Sequence, residues 1–194
     1  MRRKQFMEMP SSEELEKELN RVKYKRRYHV VLRSTVYTLI TVAAIAVLVA
    51  TLWMPVLQIY GGSMTPTLSD GNIVVSVKSG DFQSGDIIAF YYNNKILIKR
   101  VIAGPGDWVN IEEDGTVYVN NERLEEPYLT EKALGECDIE MPYQVPESRL
   151  FVMGDHRSVS VDSRSTAVGC VAEEQIVGKI LFRVWLLNEF GKVE

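Results

Sequence analysis

The chain has 194 residues, enough for one compact domain and an appendage but too few for two large domains, and its formal net charge is −4. That total conceals a split: residues 1–33 hold ten Lys and Arg against five Glu, whereas the remainder holds twelve against twenty-one acids. An acidic body with no Lys/Arg cluster after residue 33 argues against a nucleic-acid partner, because phosphates demand a basic face.

Ser11 followed by Glu14 has the form of a helix capping box, and Leu15, Leu19 and Val22 recur at helical spacing through SSEELEKELNRVKYKRR. A short amphipathic helix is expected there. Its basic end either meets anionic headgroups or is a solvated extension of the segment that follows. From Val36 to Leu57 no charge occurs, and 22 helical residues reach roughly 33 Å, against about 30 Å for a bilayer core. Trp53, Met54 and Pro55 close the run with interfacial chemistry rather than the small-residue exit of a cleavable signal. Residues 36–57 are therefore read as an uncleaved single-pass anchor in the cytoplasmic membrane. Lys23, Lys25, Arg26, Arg27 and Arg33 place residues 1–35 in the cytoplasm and residues 58–194 outside it.

Beyond the anchor come short β-rich runs: Ile73–Val77, Ile87–Tyr92, Ile96–Ile102, Trp108–Ile111, Val117–Val119, Leu150–Met153 and Ile180–Leu187. Gly80-Asp81, Gly85-Asp86, Asn93-Asn94, Asp114-Gly115 and Asn120-Asn121 punctuate them with turn chemistry. The outer domain is expected to be mostly β, with a loop-rich insertion over about residues 122–148. Cys137 and Cys170 could pair in an oxidising compartment or be small buried apolar residues, and their separation is not a metal-site spacing.

Two stretches carry chemistry. Ser63 follows Gly61-Gly62 in YGGSMTPTL, where glycines permit close backbone approach. Taken alone that is an ordinary Gly/Ser loop, and a nucleophile there needs a base. His29 falls on the cytoplasmic side, and His156 directly follows Asp155, a poor arrangement for a Ser/His/Asp triad. Lys99 lies in the apolar run ILIKRVI, where neighbours can exclude water from its amine. An unperturbed lysine is only about 1 % neutral or less at pH 8, so burial must lower its pKa by roughly two units for it to act. Gly104-Pro105-Gly106 reads as a tight turn rather than a phosphate loop, since no following pattern of that kind accompanies it.

These residues resemble the bacterial type I signal peptidases, in which a G-x-S-M-x-P-T-L box, a K-R-V-I-G-x-P-G-D box and a G-D-x-R-x-x-S-x-D-S-R box occur in that order. The corresponding segments are Gly61–Leu68, Lys99–Asp107 and Gly154–Arg164, with Ser84–Phe90 as a linking match. The resemblance covers residues 36–185. It implies a signal-peptidase-like β catalytic domain behind one transmembrane helix, and a serine endopeptidase that removes signal peptides through an acyl-enzyme. Ser63 would be the nucleophile and Lys99 the base. Ser160 would aim the lysine, Asp162 and Arg164 would pair on one strand face to hold that loop, and Asp155 and Arg100 would brace the site. Ile59, Gly61, Met64, Leu97 and Ile98 would line a cleft for preproteins with small residues at P1 and P3. Some members carry a serine at the Gly61 position as a second oxyanion donor, which is missing here. His156 stands where asparagine is common and receives no catalytic role. The resemblance implies no cofactor and no metal, and a lipid bilayer as the setting. The alternatives are a specialised processing peptidase for a few surface proteins and a non-catalytic assembly module of the same fold.

Overall fold

The computed structural model describes residues 11–78, 80–185 and 191–193. The chain divides into two compact units, residues 1–49 and 50–194.

Helix α1 runs Ser12–Trp53 without a break, 42 residues or roughly 63 Å of helix. The capping box is formed: Glu14 N–H donates to Ser11 Oγ at 3.3 Å, and Ser11 N–H donates to Glu14 Oε2 at 3.1 Å. The amphipathic segment is thus an extension of the apolar one. Its apolar part has a mean hydropathy of 2.2 and no burial inside protein, so the helix is long and apolar enough to cross a membrane. Thr38 and Thr41 return their hydroxyls to the carbonyls of Ser34 and Tyr37, both at 2.9 Å, which leaves no dangling donor in an apolar surrounding. The helix stops at Trp53, four residues before the expected end at Leu57. Pro55 has no N–H to continue the ladder, and Val56–Gln58 instead forms strand β1.

The second unit is mostly β, as expected. In chain order its further strands are β2 (Ile73–Val77), β3 (Ile87–Tyr92), β4 (Lys95–Ala103), β5 (Trp108–Ile111), β6 (Val117–Val119), β7 (Glu122–Arg123), β8 (Tyr143–Gln144), β9 (Arg149–Met153), β10 (Val171–Ala172), β11 (Ile176–Trp185) and β12 (Gly191–Lys192). Among the described residues they form two sheets. The larger has the order β1-β2-β11-β3-β4-β9-β10 with β12 on β11, and the smaller the order β7-β6-β5-β8. The closing strand begins at Ile176, earlier than the expected Ile180, and Leu186 and Leu187 lie outside the described residues. Two short strands, β7 and β8, bound the insertion, and the rest of it is loop.

Among the described residues three apolar clusters hold this unit. One, around Ile102, Val109, Phe151 and Met153, joins the two sheets; another packs Ile59, Met64 and Leu68 on Val74, Ala89 and Ile180. The third gathers Ile88, Phe90, Val101 and Val152. Burying side chains of this size contributes about 1.5–3 kcal/mol each, so Met64 and Leu68 pin the loop that carries Ser63. Cys137 and Cys170 form no disulfide, and buried Cys170 packs in the inter-sheet cluster.

Candidate active site

Lys99 stands in the middle of β4, opposite Ile88 of β3, and is only 3 % exposed. Desolvation lowers its pKa from 10.5 to about 8; Asp162 and Asp155 oppose that shift, and Arg164 reinforces it. At pH 8 about half of such amines are neutral, against about 1 % or less for a solvated lysine. The amine donates to Ser160 Oγ at 2.8 Å.

Ser63 approaches from the loop between β1 and β2. Its carbonyl accepts the His156 N–H at 3.1 Å, and Gly154 lies between this carbonyl and Ser160. A Cβ on Gly154 would fall 2.5 Å from Ser63 O and 2.6 Å from Ser160 Cβ, so two loops meet on a bare Cα. Ser63 therefore sits beside the residue that holds the Lys99 amine. Among the described residues Ser63 Oγ makes no hydrogen bond, and its backbone N–H donates to no protein acceptor. Gly61 offers no hydroxyl, and its own N–H is taken by Asp70 Oδ1 at 2.7 Å.

Around this centre lie wholly buried ions. Arg164 contacts both oxygens of Asp162, each at 2.8 Å, with neither side chain exposed. Burial alone would push the Asp162 carboxyl up, yet the hydrogen bonds and charge of Arg164, the Gly154 N–H and the Ser160 hydroxyl hold it below the usual carboxylate range. Arg164 also donates to the carbonyls of Ser160 and Arg157. The expected pair is present, but residues 161–165 are a turn and not a strand, so proximity comes from chain reversal rather than from a shared sheet face. Arg100 binds Asp155 through two nitrogens, at 2.9 and 2.7 Å, and reaches the Gly85 carbonyl at 2.8 Å, while Thr67 donates to the same carboxylate.

Ile59, Gly61, Met64, Leu97 and Ile98 line one cleft of about 80 Å³ together with Ser63, Gln58, Tyr60 and Ile96. Every site residue expected from the sequence is thus brought to one region. Several contributors were not expected. Gly154 belonged to a quoted box but had no assigned role. The His156 ring meets Thr65 Oγ1 at 3.0 Å and the Gly62 carbonyl at 3.3 Å, on the loop that carries Ser63. Glu126, Tyr128 and Leu134 reach the site from the insertion: Glu126 pairs with Arg157, the Tyr128 ring lies 3.8 Å from the Arg100 guanidinium carbon, and Leu134 O accepts from Arg164. Loop sequence carries no period that would have pointed to them.

The β domain thus brings the Ser63 loop against Ser160, whose hydroxyl accepts from the buried Lys99 amine. Residues 32–185 match the family described as "Signal peptidase, peptidase S26", and the chain belongs to that family. It is 39 % identical over 152 residues to signal peptidase IB of Staphylococcus aureus, covering 68 % of this chain and 78 % of that protein. To signal peptidase I of Bacillus licheniformis it is 35 % identical over 172 residues, covering 82 % and 91 %. A crystal structure of a signal peptidase I from Enterococcus faecalis aligns with a TM-score of 0.42 at 31 % identity, over 51 % of this chain and 96 % of that one. Membership rests on the family match and the two relatives, and it makes the chain a peptidase.

Proposed function

We propose that this peptidase is a type I signal peptidase, a membrane-anchored serine endopeptidase that removes signal peptides from translocated preproteins with Ser63 and Lys99 as its catalytic pair. The observation that carries the reading is the Lys99 amine: dry, titrating near pH 8 and held by Ser160 across Gly154 from Ser63.

In the reaction, neutral Lys99 takes the hydroxyl proton as Ser63 Oγ bonds to the scissile carbonyl carbon, and the Ser63 N–H receives the developing oxyanion. Collapse of the tetrahedral species breaks the C–N bond, and the leaving amine takes the proton back from Lys99. Lys99 then accepts a proton from water, whose oxygen attacks the ester. The Ser63 oxygen leaves with that proton, which restores both groups. The cleft beside Ser63 is small, and Ile59, Met64, Leu97 and Ile98 contribute to its wall, which supports small residues at P1 and P3.

Helix α1 supports anchoring, and its basic residues before the apolar stretch support a cytoplasmic N-terminus and an outward catalytic unit. Ser63 follows the apolar run by a few residues, so tethering keeps the site near the surface where a signal peptide leaves the bilayer. Purified in detergent, the unaltered protein should cleave a preprotein with kcat/KM rising as pH climbs through about 8, where Lys99 loses its proton. Ser63→Ala and Lys99→Ala should each lower kcat by about 10³-fold or more with the circular dichroism unchanged. Retained cleavage in Lys99→Ala would remove lysine as the base.

A further inference from the structure

Among the described residues three ion pairs are wholly buried: Arg100–Asp155, Arg164–Asp162 and Arg157–Glu126. The first two lie within the motif segments. The third takes its acid from the insertion, with both side chains 1 % exposed. Such burial is poorly explained by stability, because a buried ion pair is commonly no better than apolar packing of the same volume. Its geometry suggests another use. Arg157 Nε donates to the Gly154 carbonyl at 3.2 Å, and Gly154 is the contact point of the Ser63 carbonyl and the Ser160 side chain.

We propose that Glu126 is a positioning residue for the reaction: through Arg157 it fixes Gly154, and so sets the spacing between the nucleophile loop and the Ser160 hydroxyl that holds Lys99. The inference rests on the Ser63/Lys99 reading and adds to it a residue far outside the motifs. Tyr128 strengthens the same hold. Its hydroxyl donates to Glu126 Oε1 at 3.1 Å, and its ring packs on Arg100, which grips Asp155, the residue after Gly154. Burial pushes the Tyr128 hydroxyl far above the usual tyrosine range, so it remains a donor throughout the working pH. Gly135 ties the segment down again: at φ +65° a Cβ there would lie 2.3 Å from Arg157 O and 2.6 Å from an Arg164 nitrogen.

The test uses the full chain in detergent and a quenched fluorescent peptide spanning a signal-peptide cleavage site, with kcat, KM and the thermal midpoint measured separately. Glu126→Gln should lower kcat about ten- to a hundredfold with KM within about twofold, since a small misplacement of reacting groups acts on the chemical step. Its midpoint should fall, because Arg157 is left buried and unpaired. The double variant Glu126→Gln/Arg157→Met removes both charges, so the midpoint should recover while kcat stays low, Gly154 having lost its donor. A Glu126→Gln kcat within about twofold of the unaltered protein, or a double variant that regains kcat along with its midpoint, would overturn the proposal. If Glu126→Gln fails to fold, the double variant alone decides. Ser63→Ala separates the two levels: if it still cleaves, the catalytic reading itself is wrong, whereas a dead Ser63→Ala beside a fully active Glu126→Gln sinks only the role of Glu126.

Discussion

The loop that carries Ser63 and the loop that carries Ser160 meet at one glycine, but they are held by different forces. The Ser63 loop leaves Gly61 and Gly62 exposed and is pinned from beneath by Met64 and Leu68, with short-range hydrogen bonds above. Between Gly154 and Ser165 the other loop buries Asp155, Arg157, Ser160 and Asp162 through Ser165 to 2 % exposure or less. The contrast fits the two tasks proposed for them. A serine that is to attack a polypeptide must be reached by it, so its backbone stays open. A lysine that is to act as a base needs a dry surrounding, and a polar loop that supplies it must satisfy its buried groups internally.

Breaking the ionic side of that contrast should have the largest effect on stability. Asp162→Asn leaves Arg164 without its anion in a fully buried place, and an unfolding titration should show a loss of about 3–5 kcal/mol together with reduced cleavage. An unchanged midpoint would mean that this loop is not held by its charges. A smaller effect, of opposite sign, is expected at Lys99. The folded pKa of Lys99 is about 8 against 10.5 when solvated, so below pH 8 the folded domain carries an amine that favours the unfolded state. Lys99→Met should therefore melt higher at pH 7, by up to about 3 kcal/mol, with the two proteins converging as pH rises from 8 to 10.5. A difference independent of pH would deny that desolvation is the cause. The smallest effect belongs to the open side. His156→Ala removes two exposed ring contacts and should lower cleavage by no more than about tenfold, the worth of a single net hydrogen bond. A complete loss would return histidine to the mechanism.

Much of this was legible in the chain. Strands β2, β3, β5 and β6 have the bounds that apolar runs and turn residues suggest, because each is short and closed by Gly, Asn or Asp. Taken alone, a serine behind two glycines is an ordinary loop and a lysine in a strand an ordinary surface residue; Ser63 and Lys99 stood out because they fall in boxes that resemble those of the signal peptidases. The end of α1 was misjudged because apolar composition continues past Pro55 into β1, and hydropathy does not register a missing N–H. The Asp162–Arg164 pair was foreseen with the wrong backbone, since a two-residue offset suits a strand and a turn equally. Glu126 and Tyr128 were invisible: what distinguishes them is the company they keep after folding, and neighbouring residues say nothing of that.

Gly154 also limits how this chain can drift. Alanine, the smallest replacement available, would bring a new atom to 2.2 Å from Ser160 Oγ and 2.5 Å from Ser63 O. Neither loop can make room alone without altering the distance that the other depends on. A side chain at position 154 would therefore have to displace both loops at once, however far apart they lie along the polypeptide.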